Sequence, residues 1–122
     1  MSDVIYKTKI VQVGTSALTF LPEKMLIFFN KRAQQDLAEY SVLIDDGEGR
    51  CNVVVGDYLI LGSTKYCITA VGDAAVKNFD VLGHVVVKFD GKRSADLPGN
   101  IHAEDKTIVE IVPNLNLSFS KK

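Results

Sequence analysis

Eight short runs rich in β-branched, aromatic and aliphatic residues constrain this chain more than any other feature. They are VIYKTKIVQV (4–13), MLIFF (25–29), YSVLI (40–44), DYLIL (57–61), KYCITAV (65–71), HVVVKF (84–89), TIVEIV (107–112) and LNLSF (115–119). The first alternates for much of its length, setting Ile5, Lys7 and Lys9 against Tyr6, Thr8 and Ile10. A period of two sends each set to its own face of a strand. DDGEG (45–49), Gly62-Ser63-Thr64, Asp90-Gly91, Pro98-Gly99 and Pro113-Asn114 supply turns, with Gly giving positive φ and Pro pre-setting φ. Gly62-Ser63-Thr64 is short enough to close a hairpin between DYLIL and KYCITAV. The pattern predicts a mostly β fold, a small Greek-key-like β-barrel or sandwich.

Two segments read as short helices that cover openings of that β structure. KRAQQDLAE (31–39) is made of strong helix formers. In DAAVKNFDVL (73–82), Asp73 is a good N-cap, Val76, Phe79 and Leu82 recur at i, i+3 and i+6, and Gly83 suits the C-cap. No repeat, linker or low-complexity segment divides the chain, so residues 1–122 read as one domain. A small barrel of this kind is expected to close imperfectly, and its exposed edge strands would permit a homodimer by strand pairing.

Composition excludes several classes of function. Fourteen basic residues against 15 acidic ones give a net charge of −1, and no long basic block forms. A surface that tracks nucleic-acid phosphates is therefore not expected. The longest wholly apolar run, MLIFF, is far short of the ~20 residues a bilayer helix needs, and MSDVIYKTKI (1–10) lacks the apolar centre of a signal peptide. The chain is thus read as cytoplasmic and not membrane-spanning. Cys51 and Cys67 stand apart, without a CxxC or clustered histidines, which suits two reduced thiols better than a zinc site. No metal or cofactor is implied by any spacing.

Nor does a local motif announce chemistry. Walker A, Rossmann and GxSxG patterns are absent, and Gly14 before Thr15-Ser16 reads as a turn. Asp45, Asp46 and Glu48 lack the alternate ligand spacing of a calcium loop and read as a solvated turn. His84, at the mouth of HVVVKF, and His102, in GNIHAED (99–105), are the residues able to titrate near neutrality or to attack phosphorus. Both read first as structural. For His84 a ring hydrogen bond to a nearby carbonyl accounts for its presence, and acid residues after His102 could orient that ring.

Family resemblance enters at TAVGDAAVKNFDVLGHVVVKFDG (69–91). TAVG, the short acidic helix, LGHV and the KFDG ending resemble the glucitol/sorbitol-specific IIA component of the bacterial phosphoenolpyruvate-dependent sugar phosphotransferase system (PTS). Ile5-Tyr6, Met25-Leu26-Ile27, Asp36-Leu37-Ala38-Glu39-Tyr40, Gly47-Glu48, Leu97-Pro98-Gly99 and His102 follow in the expected order. The resemblance implies a β-barrel-like cytoplasmic phosphotransferase component. In the family a histidine takes a phosphoryl group from the phosphocarrier HPr and passes it to the IIB unit of a IIB/IIC sugar permease.

Here the chain departs from that family's pattern. The family's acceptor histidine, three residues before the glycine matched by Gly47, corresponds to Ile44, and a second family histidine corresponds to Asp46. Isoleucine cannot accept a phosphoryl group. His84 matches a histidine that family members carry without using it as the acceptor, so it is expected to be structural, or to shape a site beside Asp90. A phosphoryl group could otherwise be carried by Asp45 or Asp46 as an acyl phosphate, or by His84 or His102 if the fold brings either to the Ile44 end. Asp45, Asp46 and Glu48 would repel that group unless a cation offsets them. The alternative function is a IIA-like binding module that acts by docking alone, its acidic turn suiting a basic partner.

Overall fold

The computed structural model describes residues 3–122 and is a closed β-barrel. Its strands are β1 (Val4–Val13), β2 (Met25–Asn30), β3 (Val42–Ile44), β4 (Glu48–Gly49), β5 (Tyr58–Leu61), β6 (Thr64–Val71), β7 (Val85–Lys88), β8 (Asn100–Ala103) and β9 (Asn116–Ser120). Around the ring the order is β3-β2-β7-β8-β6-β5-β9-β1, and β1 returns to β3 to close it. The two-residue β4 lies outside, on β1. The expected barrel is thus realised, but its closure is complete. Every strand of the ring has two neighbours in it, although β1 and β6 meet theirs along different stretches.

Two strands make the closure possible by changing partners along their length. β1 pairs with β9 over Val4–Lys9 and with β3 over Ile10–Val13, and the register slips between Ile10 and Gln12. β6 pairs with β5 over Thr64–Cys67 and with β8 from Ile68, with a second slip between Ile68 and Ala70. Such bulges bend a strand and increase its twist, which lets one strand serve two walls. The β5–β6 hairpin turns on Gly62-Ser63, with Gly62 at φ +63° as a primed turn demands of its first central residue. Inward side chains alternate along β5, β6 and β7, and Phe28, Leu59, Tyr66, Val87, Ile101 and Phe119 fill the interior.

The run 107–112 forms no strand, contrary to its β-prone composition. On β6 the outward groups of Lys65 and Cys67 are taken by Lys106 Nζ and by Glu104, and no ladder forms with this run. The segment packs by side chains instead, with Ile111 buried and Ile108 and Val109 against the core. Tyr66 Oη serves its backbone, donating to the Thr107 carbonyl at 2.8 Å and accepting from Val109 N–H at 3.1 Å. Strand propensity reports fit to a half-buried pleated surface, and this segment packs without joining one.

Both helices are shorter than their sequence patterns suggest. α1 is Gln35–Glu39, because Lys31 and Arg32 are spent in the bend after β2. α2 is Ala75–Leu82, and Ala74 rather than Asp73 holds the N-cap, with no side-chain cap. Gly83 ends α2 in the left-handed region at φ +65°, as the sequence suggests. A 3-10 helical segment, Ala17–Glu23, joins β1 to β2. α2 is seated by Phe79, whose ring meets Phe119 at 5.3 Å and Tyr6 at 5.1 Å, both edge to face. Such pairs add to the area term of burying a large ring. Phe79→Ala is expected to lower unfolding free energy by about 3–5 kcal/mol, measured by urea denaturation; a loss below about 1 kcal/mol would mean that α2 is held by its backbone alone.

Candidate functional site

Parallel pairing of β2 with β3 decides what surrounds the acidic turn. Phe28, Phe29 and Asn30 register on Val42, Leu43 and Ile44, so the residues just beyond Asn30 meet those just beyond Ile44. Ile44 is 0% exposed. It pairs with Ile10 across the closing seam, and its carbonyl accepts from Lys31 N–H at 2.9 Å. The next two side chains emerge into solvent and meet two cations. Lys31 Nζ donates to Asp45 Oδ1 at 2.7 Å. Arg32 grips Asp46 with both arms, Nη1 to Oδ1 at 2.5 Å and Nη2 to Oδ2 at 2.6 Å. Asn30 Nδ2 donates to the same Oδ1 at 3.0 Å.

These contacts answer the charge problem posed by the acidic turn. The hydrogen bonds from Arg32 and then Asn30 hold the Asp46 carboxyl well below the usual carboxylate range. A hydrogen bond from Lys31 also lowers the Asp45 carboxyl from its ordinary value. The repulsion expected from neighbouring carboxylates is therefore offset by Lys31 and Arg32. Sequence reasoning placed these two cations on a helix and missed their role, since the register of two parallel strands leaves no local signal.

Gly47 lets the turn lie flat on the barrel. A β-carbon there would run into the Cζ and Oη of Tyr6. Tyr6 floors a cleft of about 420 Å³ lined also by Phe29, Arg32, Asp46, Phe79 and Leu82. Val81, 70% exposed, stands beside it on α2. Cys51 does not add a nucleophile: its backbone N–H donates to Asp80, and burial, reinforced by that carboxylate, pushes its thiol up to about 12.

The two histidines take different places. His84 lies at this same end of the barrel, directly before Val85, which registers on Phe28. Its ring rests on Phe29 with centroids 4.7 Å apart. Nδ1 is 3.1 Å from the Phe28 carbonyl, and because a carbonyl only accepts, Nδ1 carries the proton. The ring hydrogen bond expected from the sequence is present. The residue beside Asp90, however, is His102 and not His84: these histidines lie near opposite ends of β7, where Lys88 registers on His102.

His102 lies in strand β8, not in a polar turn, and is 0% exposed. Nδ1 is 2.8 Å from Asp90 and Nε2 is 3.0 Å from Asp96. The acids orienting it therefore precede it in the chain, in place of Glu104 and Asp105. They belong to residues 89–99, which cross from β7 to the parallel β8 without a helix. Such crossovers usually carry a helix that satisfies its own backbone. Here His102 ties two points of the crossover to the barrel, and with both ring nitrogens engaged it has none to offer phosphorus.

Asp96 is held well below the usual carboxylate range by Lys88 and then Asn100. Burial raises Asp90, but hydrogen bonds from His102 and Lys92 N–H outweigh it and leave Asp90 below its ordinary value. A carboxylate with a depressed folded pKa adds stability above about pH 4, and that stability is lost as pH falls through the folded value. Native protein should therefore lose stability steeply below about pH 4. Lys88→Met, which removes the largest lowering influence on Asp96, should flatten that loss. Denaturant melts between pH 2.5 and 7 test this, and equal slopes would refute it.

The family of the PTS system glucitol/sorbitol-specific IIA component matches residues 5–118. The chain is 39% identical over 116 residues to the PTS system glucitol/sorbitol-specific EIIA component of Escherichia coli (strain K12), spanning 95% of this chain and 94% of that one. It matches the protein so named in Shigella flexneri to the same extent. The crystal structure of a PTS system IIA component from Enterococcus faecalis V583 superposes with a TM-score of 0.80 at 21% identity, over 93% of this chain and 98% of that one. This last likeness concerns the fold alone.

Proposed function

We propose a function on one premise: the chain belongs to the family of glucitol/sorbitol-specific IIA components of the PTS. It serves that system by docking and does not relay a phosphoryl group through position 44. The observation that carries this reading is Ile44 itself, an aliphatic side chain wholly buried in the closing seam of the barrel. Phosphoryl relay needs a nucleophilic atom that two successive partners can reach. At this position there is neither the atom nor the access. Asp45 and Asp46, the nearest side chains with oxygen nucleophiles, are each tied to a cation.

The docking face is the end of the barrel that carries Asp46, where the cleft adjoins exposed Val81 and Leu82 on α2. Apolar side chains beside a charged rim suit recognition of another protein. HPr and a IIB/IIC sugar permease are the partners to test. A IIA-like module without an acceptor would answer to the presence of these proteins and not to the supply of phosphoenolpyruvate.

A second reading is favoured by one observation at His84. With Nδ1 donating to Phe28, the neutral ring carries its lone pair on Nε2, and the residue is only half-buried at the Ile44 end. Relay through that atom would restore the carrier role by another route. Intact-mass spectrometry after incubation with phosphoenolpyruvate, Enzyme I and HPr separates the readings. No added phosphoryl group is expected, while an orthodox family member is labelled in the same tube. An acid-labile gain in mass that disappears in His84→Asn would sink the docking reading in favour of relay.

A further inference from the structure

The contacts of Asp46 describe a donor set before they describe a salt bridge. Nη1 and Nη2 of Arg32 and Nδ2 of Asn30 converge on its two oxygens, at 2.5, 2.6 and 3.0 Å. The guanidinium fork is set in place independently of Asp46. Asn30 Oδ1 accepts from Arg32 N–H at 3.0 Å and from Nη1 at 3.1 Å. Asn30 is itself fixed by its register on Ile44 and by the close approach of Gly83. A planar, oriented fork with an adjacent amide donor fits the paired oxygens of a carboxylate and of a phosphoryl group equally well.

We propose that Arg32 and Asn30 form an oxyanion-binding site for a phosphoryl group, and that the carboxylate of Asp46 is its internal occupant and keeps it closed. The donors stand just beyond the strand end at Ile44. Lys31, one residue from Arg32, adds a second positive charge through Asp45. Lys31, Arg32, Asp45 and Asp46 together sum to zero charge. An incoming phosphoryl group brings ~−1.5 to −2 and must displace a carboxylate that then stands unpaired beside it. The occupied site thus repels the ligand that its empty form would hold. Only the biological source of that ligand, a phosphorylated PTS partner, rests on the function proposed above; the donor set does not.

The test titrates inorganic phosphate into native protein, Asp46→Ala and the double variant Asp46→Ala/Arg32→Gln, following the Arg32 Nε and Asn30 side-chain resonances by NMR. Asp46→Ala should bind phosphate at least about tenfold more tightly than native protein, and the double variant should lose that gain. Asp46→Asn keeps the side-chain volume and should show the same order in weaker form, which guards against a turn disturbed by alanine. Equal phosphate affinity in native protein, Asp46→Ala and Asp46→Asn would overturn the proposal, as would tight binding that survives Arg32→Gln. A second arm compares HPr with phosphorylated HPr on Asp46→Ala. Preference for the phosphorylated form identifies the source as a partner's phosphoryl group, and preference for free phosphate alone identifies a small anion. Failure of native protein to bind HPr at all would count against the docking function and leave the phosphate result standing.

Discussion

The pairing of β1 with β3 is the contact on which the rest of the molecule depends. Without it, eight strands would form an open, twisted sheet with two exposed edges. With it they form a ring whose interior is sealed by side chains from every wall. The contact is short, three register pairs from Ile10↔Ile44 to Val13↔Val42. Its strength must come from what those residues bury. Full burial of an isoleucine is worth roughly 1.5–3 kcal/mol relative to exposure, and Ile10 and Ile44 are both completely buried. The seam therefore gains stability from the residue that stands at the strand end just before the acidic turn.

How much of this was legible in the sequence depended on how local each feature is. β1 spans the full alternating run 4–13, and the Gly62-Ser63 hairpin and the Gly83 cap also follow from nearest neighbours in the chain. β8 was missed because NIHA carries polar residues whose burial is explained only by partners elsewhere. The run 107–112 has the composition of a strand but joins no ladder, an outcome set by contacts with β6 far away in the chain. The resemblance pointed to Ile44, Asp45, Asp46 and Gly47, which stand at the end of β3 and just beyond it. Arg32 and Asn30 were invisible because a parallel register, not a motif, delivers them to Asp46.

The same distinction sorts the histidines. Both entered as residues of one chemical type with one possible use. His84 satisfies a single carbonyl of the neighbouring strand and lies across an aromatic ring. His102 holds an irregular crossover against the barrel through Asp90 and Asp96, and Lys88 and Asn100 in turn hold Asp96. Burying this polar set is tolerable only because each member has a partner. Losing Asp90 or Asp96 would leave a nitrogen of the buried His102 ring without that partner, so the set is explained by its hold on the crossover.

Positions 44 and 46 stand in opposite surroundings, one buried and one at the surface. Ile44 lies wholly within the core, and Asp46 extends a charged side chain onto Arg32 and Asn30. Without that carboxylate, the guanidinium fork proposed above as an oxyanion site would stand open beside the strand end. With the carboxylate in place the fork is satisfied and the surface keeps one charge arrangement whatever its partners carry. Electrostatic complementarity governs which partner docks more than how tightly. On the docking function proposed above, a surface fixed in this way suits recognition that does not depend on phosphorylation, through one bidentate contact at the mouth of the barrel.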